Sequence, residues 1–285
     1  MSLIDFILNV AGLLLWLNWR SVFADPFATA TPSTLSGTLR RAQPRQVQRW
    51  HFPAALAALL LVRAVIYQQI GPAVNWTPKL DFYFVVLTFR GTAFLPTLVF
   101  SLLSFLRAFV VLYFWLLTLA AINRHASGSD PFQKMISVQL GRAARWPWPV
   151  QVILPMLAAA GLWAAFHPVL VYFGIVSRTQ SGLHLLVQSL LVGGGLVFSL
   201  KELLPVFLIV HLVASYVYLG RSPVWDFASL TSRNLLVPLN RVPLRLGKLD
   251  LAPLVGITLI LLLLVTLPNL LLTYLDRHHL SLWPQ

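Results

Sequence analysis

Residues Ser232–Pro253 read SRNLLVPLNRVPLRLGKLDLAP and separate two long apolar runs of the chain. Pro238 and Pro243 each remove a backbone donor and disfavour helix at the preceding residue, so no continuous helix can cross the stretch. Basic residues outnumber its single carboxylate, Asp250; they are Arg233, Arg241, Arg245 and Lys248. The sequence therefore predicts a bent, basic, half-apolar segment that lies at a membrane surface and is not a span.

The composition indicates a membrane protein. Of the 285 residues, 58% are hydrophobic and only 10% are charged, and the mean hydropathy is +0.78. Such values are typical of polytopic helical membrane proteins and exclude an ordinary soluble domain. The absence of cysteine excludes disulfides, thiolate metal sites and thiol nucleophiles. The formal net charge of +13 is therefore interpreted first as topology signals and contacts to anionic lipid.

Six apolar runs are long enough, or nearly so, to cross ~30 Å of hydrocarbon at ~1.5 Å per residue. We therefore predict an all-α polytopic membrane protein of about six spans, with hairpin repeats joined by amphipathic cytoplasmic surface segments. The first run is short and contains Asn9 and Asn18, and we expect it to be retained because no small-residue cleavage site follows it. The runs are Leu3–Trp19, Phe52–Ile70, Phe94–Ile122, Val150–Ile175, Leu196–Leu219 and Leu251–Leu275.

Two connections on the outer side carry apolar sequence of their own. Apolar sequence begins near Leu183, well before the fifth run, and the three glycines 193–195 offer a break. We therefore predict an interfacial helix over Leu183–Val192, with close helix packing as the alternative role of the glycines. In the aromatic connection Gly71–Gly91, Phe82–Phe89 is expected to be an interfacial segment, because no partner strand is visible for a hairpin.

Basic residues are concentrated in the connections after the first, third and fifth runs. By the positive-inside rule these connections are cytoplasmic, and both termini lie outside the cytoplasm. One interpretation makes the basic residues topology determinants that bind lipid phosphates; its rival makes them a docking site for a partner protein, a second copy of the chain or, least expected, DNA. The residues expected to face lipid or a partner are Arg40, Arg41, Arg45, Arg49, Arg142, Arg145, Arg233, Arg245 and Lys248.

The three basic connections share an order of features. An aspartate and a phenylalanine follow each helix end, and a leucine, an arginine and a proline come later at similar offsets. The motifs begin at Asp25-Pro26-Phe27, Asp130-Pro131-Phe132 and Asp226-Phe227. This order favours a threefold repeat of span, surface helix and span, in which the aspartate caps the surface helix and Asp250 caps the last span, with Pro253 in its first turn. The predicted divisions are residues 1–90 (first hairpin and outer segment), 91–182 (second hairpin) and 183–285 (third hairpin).

The opening stretch also has a family likeness. The order Leu235-Leu236-Val237-Pro238-Leu239-Asn240-Arg241, then Pro243, then Leu249-Asp250-Leu251-Ala252-Pro253 resembles the YggT (YlmG) family of small bacterial and plastid membrane proteins. The family usually has Thr-Glu-Pro ahead of the double leucine, where this chain has Ser232-Arg233-Asn234. The resemblance implies a bacterial inner-membrane protein linked with osmotic tolerance and ion uptake, with cell division and nucleoid organisation, or with cytochrome assembly in plastids. It brings no catalytic residues; Pro238, Arg241, Asp250 and Pro253 match the motif and are expected to shape the surface segment.

Arg63 and Arg107 fall near the middle of apolar runs, and a charge inside a span is a functional candidate by default. One interpretation is an anion or proton path lined by these arginines and His211. The other interpretation is that the arginines hold helices together by binding backbone carbonyls or polar side chains. One of these side chains would be a carboxylate inside the membrane that pairs with Arg63 or Arg107. The candidate side chains are Gln68, Gln69 and Glu202.

No arrangement of residues typical of an enzyme is present. The sequence has no GxSxG, HExxH or P-loop motif, and its histidines are isolated. We therefore predict a non-catalytic protein without a cofactor or a metal site. The function expected first is a membrane scaffold or an assembly or stress factor whose basic cytoplasmic face binds anionic lipid and a protein partner. The alternative is an ion channel or transporter that uses Arg63, Arg107 and Glu202.

Overall fold

The predicted class is confirmed: the chain forms an all-α membrane-type fold. The computed structural model describes residues 2–21, 50–73, 77–91, 93–124, 130–179, 181–217, 220, 222–239, 245–246 and 249–277. Within these residues, six helices are long and apolar enough to cross a membrane, and each coincides with or contains most of a predicted run. They are Leu3–Arg20, His51–Gly71, Phe94–Ile122, Trp148–Tyr172, Gly182–Tyr216 and Ala252–Leu270.

Two compact units divide the chain differently from the three predicted hairpins. One unit comprises Met1–Pro78 with Phe89–Phe109, and the other Lys79–Thr88 with Val110–Gln285. A unit boundary therefore falls inside the third long helix. Its first half packs with the helices before it and its second half with the helices after it, so one continuous helix contributes to both units.

Among the described residues of the first unit there are three helices: α1 (Ser2–Ser21), α2 (His51–Ala73) and the first half of α3 (Phe94–Ile122). Gly12 lets α1 approach its neighbours closely, since a Cβ at this position would lie 2.9 Å from the Phe105 ring and 3.3 Å from Leu56. An edge-to-face pair of Trp16 and Phe109, with ring centroids 5.1 Å apart, continues the contact between α1 and α3 one turn further on.

Part of the aromatic connection Gly71–Gly91 forms a β-hairpin, so the prediction of an unpaired segment over Phe82–Phe89 is wrong. Strand β1 (Lys79–Asp81) pairs antiparallel with β2 (Val86–Thr88), and Leu80 lies opposite Leu87. Side chains alternate between exposed and buried along both strands. The pairing escaped the sequence analysis because each strand has only three residues, too few for a period of two to stand out.

The surface helix predicted after Asp130, α4 (Pro131–Leu140), begins as the sequence predicts. The side chain of Asp130 accepts a hydrogen bond from the backbone N–H of Phe132 at 2.8 Å, and Pro131 occupies the first turn. A 3-10 turn over Gly141–Arg145 then leads to the long helix α5 (Trp148–Tyr172).

The predicted break at the three glycines is wrong, and two of them, Gly193 and Gly195, allow close packing instead. The backbone stays helical through α6 (Gly182–Gly195), a 3-10 turn (Leu196–Ser199) and α7 (Leu200–Tyr216). A Cβ at Gly193 would lie 2.3 Å from the carbonyl oxygen of Met156 and 3.1 Å from the Ala160 Cβ of α5. Only glycine permits this approach, so α5 and α6 form a tightly packed hairpin.

No continuous helix crosses Ser232–Pro253, as the prolines predict. Helix α8 (Pro223–Leu236) ends two residues before Pro238, and two antiparallel strands follow, β3 (Arg245–Leu246) and β4 (Leu249–Asp250). The last span is α9 (Ala252–Leu261), continued by a π-helical turn (Leu262–Thr266) and α10 (Leu267–Arg277).

The start of the last span corrects one predicted cap. Pro253 lies in the first turn of α9, as expected, but Asp250 is a strand residue and does not occupy the cap position. That position is held by Leu251, one residue later than the sequence predicts, and its side chain forms no capping bond. The pairing of β4 with β3 draws Asp250 into the strand and leaves the cap position one residue later.

Candidate functional site

The first candidate site surrounds Arg63, whose side chain is only 1% exposed in the middle of α2. One terminal nitrogen donates a hydrogen bond to the Asn9 side-chain oxygen at 2.8 Å. The other donates to a carboxylate oxygen of Asp5 at 2.8 Å and to the Ser104 hydroxyl at 2.9 Å. Arg63 therefore ties α2 to α1 through two residues and to α3 through one.

Further contacts close this buried network. The Tyr67 hydroxyl donates to the same Asp5 carboxylate oxygen, and the Asn9 amide donates to the Ser104 hydroxyl at 3.0 Å. The guanidinium carbon of Arg63 lies 5.5 Å from the centre of the Tyr67 ring and 5.3 Å from that of Phe100, both within cation–π range. The guanidinium and the carboxylate cancel one another, so the network is electrically neutral.

The observed partners of Arg63 differ from the expected ones. The carboxylate that pairs with it is Asp5 of α1, while Glu202 is exposed on the surface of α7 and is not a buried charge. Glu202 falls on the same helical stripe as the exposed Val206, Ile209 and Val213. The sequence analysis predicts that Glu202 pairs with Arg63 or Arg107. The pairing with Arg63 is therefore wrong.

Arg107 and His211, the other candidates for a polar path, are both half-buried in their helices. The sequence contained one unused signal for the true partners of Arg63. Asp5 and Asn9 stand four residues apart, which places two polar side chains on one face of an apolar helix. Such a pair inside a span needs a polar partner, and Arg63 supplies it.

The second candidate site is built on α4 and α8. The Phe132 and Phe227 rings stack with their centroids 5.7 Å apart, and Phe227 also meets Phe207 of α7 edge to face at 6.0 Å. Ile136 and Leu140 of α4 are buried in the same apolar cluster. Two of the three phenylalanines in the repeat motif are therefore neighbours in space, and the third, Phe27, lies outside the described residues.

A buried amide network fixes α8 against the end of α3. Asn123, which is completely buried, donates to the Thr231 hydroxyl at 2.8 Å and accepts from the Asn234 amide at 2.9 Å. Ser232 donates to the carbonyl oxygen of Phe207 in α7 at 2.7 Å. These bonds set the rotation of α8, with its polar and apolar sides on opposite faces.

The outward side of these elements is basic. Five cations on the end of α3, on α4, on the following 3-10 turn and on α8 are all exposed: Arg124, Lys134, Arg142, Arg145 and Arg233. We refer to these five residues as the basic face. Trp146 and Trp148, next to Arg145, are 37% and 62% exposed. Asp226 of α8 is exposed among them, and Asp130 is half-buried because it caps α4.

The remaining sequence candidates lie partly outside the described residues. Pro238 is in the turn after α8, and Arg245 and Asp250 are paired residues of β3 and β4. The candidates that fall outside the described residues are Arg40, Arg41, Arg45, Arg49, Arg241 and Lys248. In the described part of the chain, no three histidine, aspartate or glutamate side chains are grouped so that they could hold a metal ion.

The fold and the two sites define a polytopic helical membrane protein with an internal ion pair and an exposed basic face. No family model, curated protein or solved structure matches the chain.

Proposed function

We propose that this chain is a non-catalytic membrane scaffold whose basic face binds anionic lipid head groups. The same face also binds a protein partner, either directly or through those lipids. The observation that carries the proposal is the exposure of all five cations on elements that α3, α7 and the stacked phenylalanines hold in place. A rigid, preformed set of cations is what a surface of phosphates attracts.

The composition of the basic face favours lipid over a soluble partner as the first ligand. Arg142 and Arg145 stand beside Trp146 and Trp148, and arginine beside exposed tryptophan is typical of the level of lipid head groups. Each cation near an anionic membrane contributes about 1 kcal/mol. The positive-inside rule would put this face in the cytoplasm, and with six spans both termini would lie outside.

The transport alternative has less support. Arg63 is neutralised by Asp5 and is fixed by side chains of three helices, and Glu202 does not join it inside the protein. A buried charge whose hydrogen bonds all hold neighbouring helices together is typical of a structural role. The resemblance to the YggT family agrees with a scaffold or assembly factor, and membership of that family is part of the proposal.

The test uses the full chain in nanodiscs and a matched pair of charge variants. One variant changes Arg142, Arg145 and Arg233 to Gln; the control changes Lys79, Arg90 and Arg178 to Gln, three cations that are also exposed but lie in the opposite connections. We expect the first variant to lose most of its preference for phosphatidylglycerol over phosphatidylcholine, measured as bound lipid by native mass spectrometry. The control should keep that preference.

An equal loss in both variants would contradict the proposal, because it would show an effect of net charge alone. The protein partner is tested separately by crosslinking in the membrane, with the wild type and the same two variants. One stoichiometric partner that is lost only from the basic-face variant would support docking on this face. Strong ion flux through protein-loaded liposomes, with no lipid preference, would instead favour the transport alternative.

A further inference from the structure

The β-hairpin between α2 and α3 is held among helices by its tip. The Phe82 ring meets the Trp163 ring of α5 edge to face, with centroids 5.8 Å apart. A Cβ at Gly195 of α6 would lie 3.3 Å from the carbonyl oxygen of Phe82, so the glycine lets the tip approach the helix backbone. Phe84 meets Phe198 at 5.5 Å in the 3-10 turn that follows.

These contacts lie deep along the helices. Trp163 precedes the end of α5 at Tyr172 by nine residues, which is ~13 Å at ~1.5 Å per residue. Gly195 follows the start of α6 at Gly182 by thirteen residues, or ~20 Å. Helix α5 has 25 residues, or ~37 Å, and a bilayer core is ~30 Å thick, so an α5 that spans the core places Trp163, and the hairpin tip that meets it, at least ~6 Å inside.

The base of the hairpin gives a separate measure within the first unit. The Phe89 ring meets the Phe100 ring at 5.4 Å, and Phe100 lies six residues inside α3, or ~9 Å from its start at Phe94. The Phe89 ring therefore lies alongside α3 and not beyond its end.

The backbone of the hairpin meets the demands of that depth, where an unpaired N–H or C=O group is costly. At the tip, Phe82 N–H donates to the Val85 carbonyl, Phe84 N–H donates to the Phe82 carbonyl, and Tyr83 N–H donates to the Asp81 carboxylate, each at 2.8 Å. The bond from Phe84 to Phe82 closes a γ-turn in which Tyr83 has φ +65°. This conformation is rare and strained for a residue with a side chain.

The two faces of the hairpin differ in character. Leu80 and Leu87 are 4% and 2% exposed on one face, whereas the other face presents Lys79, Asp81 and Thr88. A lysine also lies at the tip: the Lys201 ammonium is 5.1 Å from the centre of the Tyr83 ring. Lys201 is only half-buried, and among the described residues no carboxylate forms a salt bridge with it.

Charges at this depth need either a counter-charge or water. A charged side chain in the middle of a bilayer costs ~2.5 to 3.5 kcal/mol even on the most permissive scale. The cation–π contact with Tyr83 replaces only part of the hydration of the Lys201 ammonium. Irregular backbone with a polar face is tolerated inside a membrane where it borders water held by the protein.

We infer that Lys79–Thr88 is a re-entrant hairpin whose polar face borders water continuous with the side of the α2–α3 connection, and that this water gives small hydrophilic anions access to Lys201. The inference goes beyond lipid binding by the basic face, and it rests on different residues. Tyr83 has a defined part in it, since its strained turn sets the ring beneath the ammonium.

The absence of native cysteine allows a direct test on the full chain in cell membranes. Val86, on the polar face of the hairpin, is 57% exposed, and Val62, on α2, is 56% exposed. The variants Val86→Cys and Val62→Cys therefore have nearly the same exposure and differ in their surroundings. A membrane-impermeant maleimide should label Val86→Cys, while Val62→Cys, which faces lipid, stays unlabelled. Leu87→Cys, on the buried face of the same strand, should also stay unlabelled until the protein is denatured.

Depth and charge are tested in two further arms. In the double variant Phe84→Cys, Phe198→Cys, a short bifunctional maleimide should crosslink the hairpin to the 3-10 turn after α6, which a hairpin lying on the outer surface would not allow. With thiosulfonate reagents of opposite charge, Lys201→Gln should lower the ratio of anionic to cationic labelling rates at Val86→Cys severalfold, because the loss of one positive charge slows the anionic reagent and speeds the cationic one.

Each arm can overturn a part of the inference. Equal protection of Val86→Cys and Val62→Cys would show that the hairpin borders lipid. Labelling of Val86→Cys without the crosslink would place the hairpin at the surface. An unchanged rate ratio in Lys201→Gln would remove anion access to this lysine. None of these outcomes depends on the basic face, so the proposed function can fail or stand independently.

Discussion

The ion pair between Arg63 and Asp5 makes a prediction that depends on which partner is removed. The Arg63 side chain is 1% exposed and that of Asp5 is 20% exposed. Asp5→Asn leaves a deeply buried cation without its counter-charge, whereas Arg63→Met leaves a carboxylate that water can partly reach. We therefore expect the apparently milder Asp5→Asn to be the more destabilising of the two variants.

The magnitudes follow from this difference in burial. Removing one partner of a buried ion pair costs about 3 to 5 kcal/mol, and we expect Asp5→Asn to fall in this range. Arg63→Met should cost about 2 kcal/mol, because the Asp5 carboxylate keeps the Tyr67 hydroxyl as a donor and can be hydrated. The double variant should recover to within about 1 kcal/mol of the wild type, since Asn9 and Ser104 remain hydrogen-bonded to each other and no charge is left unpaired.

The measurement is the free energy of unfolding of the full chain in detergent micelles, with denaturant titration followed by tryptophan fluorescence. Glu202→Gln is the matched control, because it neutralises a carboxylate that is exposed on its helix, and it should lie within about 0.5 kcal/mol of the wild type. Additive losses in the double variant, or a larger loss in Arg63→Met than in Asp5→Asn, would refute the reasoning. A strongly destabilised Glu202→Gln would show that this carboxylate has a partner after all.

Four smaller changes, in two matched pairs, test the local packing and capping by the same unfolding measurement. Gly193→Ala should cost about 1 to 3 kcal/mol because its Cβ would meet the carbonyl oxygen of Met156 at 2.3 Å, while Gly194→Ala, with no atom within 4 Å, should be neutral or slightly stabilising; equal effects would contradict the close approach. Asp130→Ala should cost about 1 kcal/mol through loss of the cap of α4. Ser222→Ala should cost less than half of that, because the Ser222 side chain forms no capping bond to α8; a loss equal to that of Asp130→Ala would refute the comparison.

The spans could be predicted from sequence because hydropathy over some 20 residues is a property of the chain alone. The cap at Asp130 could be predicted for a similar reason, since a cap joins residues that are two or three positions apart. The end of α8 before Pro238 is equally local. These predictions concern interactions whose two partners appear together in one short stretch of sequence.

The partners of Arg63 could not be found in this way. Asp5 and Asn9 are 58 and 54 residues from it in sequence, and helical periodicity gives the face of each helix but not the helix that it meets. Glu202 appeared to be the partner because it was a carboxylate inside a long apolar run. Asp5 lies in the first turn of α1, where the helix dipole alone accounts for an acidic residue, so its position gives no signal of an ion pair.

The position of α1 in the fold depends on the same polar residues that make it a poor span. It has the lowest mean hydropathy of the six candidate spans, and Gly12 is the only buried residue within Leu3–Arg20. Apolar packing therefore defines the position of α1 only weakly, because lipid can replace most of its contacts. Asp5 and Asn9, by contrast, can be satisfied together only where Arg63 lies within reach, which fixes both the height and the rotation of α1. On this interpretation, the charge of Arg63 persists inside a span because it selects one arrangement of three helices, a specificity that an apolar side chain of similar volume would not provide.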